Sequence, residues 1–201
     1  MLRLIARIDS RNGQHIKTIN CEGVKKIRPL HETIKIFTDG IYEHDELIII
    51  DSVASLYGFD NWLLRDPNSY TYSQIPLTIG GGINSVEKVQ KTLAAGADKI
   101  LINTSCINNH KLIENISKKI GRQALVVQID TRKINNDYYC FTHGGRELTD
   151  KKLSSWINVL HSLGVGEIHV TSIDSEGTSN KFPNEIAKIC SENTNLPLIF
   201  S

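Results

Sequence analysis

One spacing runs through this sequence and limits its fold more than any other feature. Ile8-Asp9-Ser10-Arg11 recurs 121 positions later as Ile129-Asp130-Thr131-Arg132. Glu46 recurs as Glu167, and Ile75-Pro76-Leu77 as Leu196-Pro197-Leu198, at the same offset. Three separated segments sharing one offset describe a unit followed by its copy, with repeats at 1–121 and 122–201. Ser201 falls on the position of Gly80, so the second copy is expected to stop before its own glycine turn, third helix, fourth strand and fourth helix.

Within each copy, short β-branched runs alternate with longer amphipathic stretches, the pattern of βα units on a parallel sheet. Strands are expected at Leu2–Asp9, Glu46–Asp51, Ile75–Ile79, Lys99–Asn103, Ala124–Asp130, Glu167–Ser172 and Leu196–Phe200. Helices are expected at His31–Thr38, Val86–Ala95, His110–Ile120, Lys152–Leu163 and Asn184–Ser191. A helix that begins at Trp62–Leu64 runs into Arg65–Gln74, where Pro67 and polar residues predict a loop or a broken helix. Asn135-Asn136-Asp137 before Tyr138–Thr142 predicts a small hairpin. The expected fold is α/β, a (β/α)8 TIM-type barrel with a two-fold internal repeat, forming a single domain truncated after strand seven. An ordinary barrel of this class takes about 250 residues, and this chain has 201, 40% of them hydrophobic.

Lysine and arginine number 23 against 22 acids, a balance that gives no sign of nucleic-acid or membrane affinity. Arg3, Arg7 and Asp9 interrupt the apolar start, so no secretory signal is expected in it. Cys21, Cys106, Cys140 and Cys190 are scattered, without a CxxC or a histidine at metal spacing. Reduced thiols in a cytoplasmic protein, with no metal and no cofactor, are the expectation.

Chemistry in such barrels sits at the carboxyl ends of the strands, and side chains two apart on a strand share a face. Asp9, Asp130, Asn103 and Thr171 therefore form an upper ring, and Arg3, Glu46, Lys99 and Glu167 a lower one. Two aspartates ending equivalent strands suit an acid and a base; equally, they can cap the following turns. Gly80-Gly81-Gly82 before a helix at Val86, with Asn103-Thr104-Ser105, suits a phosphate. The Ser172–Thr178 segment would serve the opposite half. Two positive and two negative side chains in the lower ring make either a structural plug or a gated passage.

Together, Asp9, Lys17, Thr78–Ile83, Asp98-Lys99, Ile102-Asn103-Thr104, Asp130 and Thr171–Asp174 resemble the cyclase subunit of imidazole glycerol phosphate synthase, the HisF family. The resemblance covers nearly all of the chain and is weakest from Leu64 to Gln74. It implies a two-fold symmetric (β/α)8 barrel of the lyase type, working in histidine biosynthesis. A glutaminase partner forms a heterodimer with the barrel and supplies ammonia through its core. The ammonia reacts with a bis-phosphorylated ribulosyl formimino nucleotide, giving imidazole glycerol phosphate and an aminoimidazole carboxamide ribotide. By matching position, Asp9 and Asp130 are the catalytic pair and Lys17 a substrate-touching lysine of the first loop. Gly81, Gly82, Asn103 and Thr104 belong to one phosphate site and Gly177 to the other, with Thr171, Ser172 and Asp174 among the substrate- and phosphate-binding residues. Arg3, Glu46, Lys99 and Glu167 become the ammonia gate, and Asp98 a contact to the glutaminase.

The chain departs from the family pattern at Arg7 and Gln128, which put large polar groups where small residues line the barrel, and at Glu176, where an aspartate is usual. Asp51–Gly58 resembles a subgroup associated with bacterial surface-polysaccharide clusters, thought to amidate a sugar nucleotide. That reaction is the alternative function, beside a truncated barrel without activity.

Overall fold

The computed structural model describes residues 2–39, 44–65, 73 and 75–201. The chain divides into two compact units: residues 1–17 with 24–101, and residues 18–23 with 102–201. The predicted loop at Arg65–Gln74 falls largely outside the described residues; of that stretch the structure gives a four-residue helix, α3 (Trp62–Arg65), preceded by another, α2 (Ala54–Tyr57).

In the first unit, β1 (Ile5–Arg11) pairs in parallel with β4 (Glu46–Asp51), β4 with β5 (Leu77–Gly80), and β5 with β6 (Lys99–Ile102). All six residues of β4 are buried, as expected of a parallel strand covered on both faces. Helix α1 (Leu30–Thr38) precedes β4, and α4 (Val86–Ala94) precedes β6. Ser85 starts α4 by accepting the Lys88 N–H, the cap its position before Val86 suits.

A hairpin absent from the sequence reading follows β1. β2 (Gln14–Ile19) runs antiparallel to β1 with Arg11 opposite Gln14, and β3 (Glu22–Pro29) comes after it. The turn is Asn12-Gly13, with φ of 50° and 71°, the left-handed pair that a two-residue hairpin loop requires.

In the second unit, β7 (Leu125–Ile134) pairs in parallel with β10 (Glu167–Ser172), and β10 with β11 (Leu198–Phe200). The predicted hairpin is present as β8 (Asp137–Thr142), antiparallel to β7. It continues into β9 (Glu147–Lys152), whose run of charged residues carries no strand signal. Helices α5 (His110–Ile120), α6 (Leu153–Ser162) and α7 (Asn184–Asn193) lie close to their expected bounds. Asn109 caps α5 through the Leu112 N–H, and Leu112, Ile113 and Ile116 form its buried stripe. In α6, Leu153, Trp156, Ile157 and Leu160 do the same at helical spacing.

The repeat reappears as strand register. Ile5 is opposite Glu46 on β1 and β4, and Val126 is opposite Glu167 on β7 and β10. Leu47 is opposite Leu77, and Ile168 opposite Leu198. Each pair of partners maps onto the other at the offset of 121, so the duplication fixes pairing as well as sequence. Parallel strands alternating with helices, repeated in register, belong to the (β/α)8-barrel class, and seven of its parallel strands are among the described residues. No helix among those residues is long and apolar enough to cross a membrane. Cys106, Cys140 and Cys190 are buried thiols, and burial pushes Cys140 and Cys190 up to about 12.

Candidate functional site

Asp9 lies near the carboxyl end of β1 and is 7% exposed. Its Oδ1 accepts from Arg7 Nη2 at 3.0 Å and from Ser52 Oγ at 3.3 Å. Arg7 reaches it because residues two apart on a strand share a face. Nearby, burial holds the His15 imidazole below its ordinary 6.5; the Asp9 charge opposes that, while Arg28 and Lys17 reinforce it. Lys17 is exposed on β2, between buried Ile16 and Thr18.

Gly81 and Gly82 follow β5 with φ of 99° and 65°. A Cβ on Gly81 would collide with the Asp51 carbonyl oxygen, and one on Gly82 with the Phe59 carbonyl oxygen and, at 2.8 Å, Ala54 Cβ. The loop after β4 therefore packs against both glycines, and the fold itself requires them. Asp51 itself is 3% exposed, accepts the Val53 N–H on Oδ1, and pairs with Arg65 at 3.3 Å.

At the other end of these strands, Glu46 accepts from Arg3 and, at 2.8 Å, from Lys99 Nζ. Three of the four lower-ring residues are thus hydrogen-bonded together within one unit. Asp98 is exposed, yet its Oδ2 accepts the Leu77 N–H at 2.7 Å and anchors the start of β5. Burial raises the proton affinity of Glu46, but the hydrogen bonds and charges of Lys99 and Arg3 outweigh it, leaving its pKa below the ordinary 4.5. A depressed carboxylate pKa contributes stability that is complete above the unfolded value and is lost as pH falls through the folded one. Melting temperature should therefore fall below about pH 4.5, and Glu46→Gln should flatten that limb. An unchanged acid limb in Glu46→Gln would remove the triad from the stability account.

The second unit holds the other carboxylate. Asp130 is 2% exposed; its Oδ1 accepts from Gln128 Nε2 at 2.6 Å and its Oδ2 from Asn103 Nδ2 at 2.9 Å. Thr171 stands opposite Asp130 on β10, and its hydroxyl is 3.1 Å from Ser201 Oγ, which also lies 2.9 Å from His169 Nε2. Thr104 Oγ1 accepts the His143 N–H at 2.9 Å. Ser172 Oγ donates to Ser175 Oγ, and Asp174 pairs with Arg132 at 3.0 Å. Glu167 is buried at the start of β10.

Glu176 has a role that sequence reading did not find. Its Oε2 accepts from Thr18 Oγ1 at 2.9 Å and from the Cys21 N–H at 3.3 Å. Asn20 Nδ2 donates to the Ile173 and Asp174 carbonyls, while the Asn20 N–H donates to the Glu176 carbonyl. Gly177, at φ 71°, would with a Cβ collide with the Thr18 carbonyl oxygen. The glycine thus admits the Thr18–Gly23 segment. That segment is the turn between β2 and β3, one strand beyond the Asn12-Gly13 turn.

Comparison with known proteins gives a consistent answer. The family model described as histidine biosynthesis protein matches residues 3–201. A protein named imidazole glycerol phosphate synthase subunit HisF from Prosthecochloris aestuarii is 38% identical over 199 residues, 99% of this chain and 78% of its own length. Its namesake from Chlorobium phaeovibrioides is 37% identical over the same shares, and that of Sulfolobus acidocaldarius 36% identical over 200 residues, 79% of its length. The chain therefore belongs to the histidine biosynthesis protein family, among the HisF subunits of imidazole glycerol phosphate synthase.

Proposed function

We propose that this chain is the ammonia-using cyclase subunit of an imidazole glycerol phosphate synthase, converting the ribulosyl formimino nucleotide to imidazole glycerol phosphate and an aminoimidazole carboxamide ribotide. The observation that carries the reading is the register-matched pair of buried carboxylates, Asp9 and Asp130, at equivalent ends of duplicated strands. Adding ammonia to a carbonyl requires a proton to leave nitrogen and another to reach oxygen, the work of one base and one acid. A cation and a hydroxyl at Asp9, against two neutral amides at Asp130, supply the unlike surroundings such a division needs.

Lys17, Gly81, Gly82, Asn103, Thr104, Thr171, Ser172, Asp174 and Gly177 are assigned to substrate and phosphate binding. Arg3, Glu46, Lys99 and Glu167 are assigned to ammonia entry, and Asp98 to the glutaminase contact. The repeats 1–121 and 122–201 are the half-barrels, and the cytoplasm is the setting. Turnover of the ribulosyl nucleotide with ammonium chloride alone tests the reading; no imidazole glycerol phosphate at saturating ammonium would overturn it.

Arg7 favours a second reading, amidation of a sugar nucleotide, because it places a guanidinium on Asp9. A pocket group that selects between two substrates commonly changes their ratio 10- to 200-fold. Arg7→Ala should therefore shift the ratio of turnover on the two substrates by about tenfold toward the ribulosyl nucleotide. An unchanged ratio removes Arg7 as the selector.

A further inference from the structure

We propose that Tyr57, Phe59 and Asn61 form a subsite for the heterocycle and ribose of a nucleotide whose phosphate is held by the Gly81-Gly82 turn. The inference rests on the phosphate reading of those glycines and adds the part of the ligand that would lie beside them.

Three independent features meet on the loop after α2. Tyr57 and Phe59 are 58% and 49% exposed, yet their rings stack on each other, with centroids 5.7 Å apart and planes 28° from parallel. Gly58 lies between them at φ 66°, and a Cβ there would meet nothing within 4 Å. Its left-handed conformation turns the chain so that side chains two apart can stack; packing does not demand a glycine there. An exposed aromatic pair offers an outer π-face, and stacking on such a face tolerates any flat heterocycle.

Asn61 is the second feature. It is 2% exposed; its Oδ1 accepts the Leu64 N–H at 3.1 Å, while its Nδ2 has no hydrogen-bond partner among the described residues. A buried amide donor is normally satisfied, so one left open beside a binding turn calls for an acceptor from outside the chain. A ribose hydroxyl or a phosphate oxygen is such an acceptor.

The third feature is adjacency. The Phe59 carbonyl oxygen occupies the space a Gly82 Cβ would need, and the Asn61 backbone nitrogen lies 3.6 Å from that Cβ position. Lys88 Nζ donates to the Gly82 carbonyl at 3.3 Å and pairs with Asp60 at 2.7 Å, tying loop to turn. Stacking face, unpartnered Asn61 amide and glycine turn are therefore carried by neighbouring segments of one unit.

The test is titration calorimetry with three probes that share a phosphoribosyl group: ribose 5-phosphate, 5-aminoimidazole-4-carboxamide ribotide and uridine 5′-monophosphate. At least one nucleotide should bind tenfold or more tighter than ribose 5-phosphate. Tyr57→Ala with Phe59→Ala should erase that advantage and leave ribose 5-phosphate binding unchanged, while Tyr57→Phe should keep it. Asn61→Asp retains the Oδ1 acceptor for Leu64 and removes the donor, so it should weaken all three ligands. Preference for the imidazole ribotide identifies the cyclase substrate as the source of the heterocycle, and preference for the uridine nucleotide identifies a sugar nucleotide. If ribose 5-phosphate binds, is lost in Gly82→Ala, and gains nothing from a heterocycle, the stacking subsite is overturned while the phosphate reading stands. Failure of all three probes to bind overturns both.

Discussion

Replacing Asp130 with asparagine is expected to lower kcat for ammonia-dependent turnover by about 10²- to 10⁴-fold, the range for loss of a positioned acid or base. KM should change far less, because phosphate contacts supply most of the binding. Asp9→Asn should behave alike. The two variants differ in what they leave behind. Gln128 and Asn103 both present N–H donors to Asp130, so an asparagine keeps both bonds only if one of those amides turns its oxygen inward. Without that turn, the mismatch costs about 1–3 kcal/mol of stability. At Asp9 the loss instead deprives Arg7 of its ion-pair partner on that strand. A folded Asp130→Asn variant turning over at near-normal rate would remove the residue from the chemistry, whatever its effect on melting.

The second large effect concerns Gly81. Alanine there would have to adopt φ near 99° and displace the backbone of Asp51, whose nitrogen would lie 2.8 Å from the new Cβ. Strained backbone alone costs about 1–3 kcal/mol, and the backbone clash adds to it. Gly81→Ala should thus lose at least about 2 kcal/mol in denaturant unfolding. Gly58→Ala is the matched control, with φ of 66° and open space around the added carbon, and should lose only about 1 kcal/mol. Equal losses at the two sites would show that conformation, and not the approach of Asp51, explains Gly81.

The parallel strands were legible because their core faces are continuous apolar runs, and the 121-residue offset carried their pairing as well. The Arg3–Glu46–Lys99 cluster was legible too: alternation along a strand puts such residues at one end, and opposite charges there need each other. Boundaries were less so. The first strand begins at Ile5, not Leu2, and runs on to Arg11 because the Asn12-Gly13 hairpin extends it. That dipeptide is a strong hairpin signal, yet β2 buries only Ile16 and Thr18, too short an alternation to stand out, and β3 buries no residue. β3 is exposed along nearly its whole length, and β9 is largely charged. The Glu176 contacts could not be read at all, because Thr18 and Glu176 are 158 residues apart and meet only through folded loops. Glu176 stands where the family usually has an aspartate; its longer side chain reaches the turn between β2 and β3. Asn61 and the Tyr57–Phe59 pair were passed over for a related reason. Nothing in a local pattern reveals that an amide is buried without a partner.

The proposed combination of ammonia with a ribulosyl formimino nucleotide can be followed atom by atom. 15N-ammonium chloride is supplied with that nucleotide and the label is traced by nitrogen NMR and mass spectrometry. 15N should appear in the imidazole ring of imidazole glycerol phosphate, with release of unlabelled aminoimidazole carboxamide ribotide, and labelled product should be lost in Asp9→Asn and Asp130→Asn. Label absent from the ring, but found as an amidino nitrogen when a sugar nucleotide is supplied instead, would contradict it.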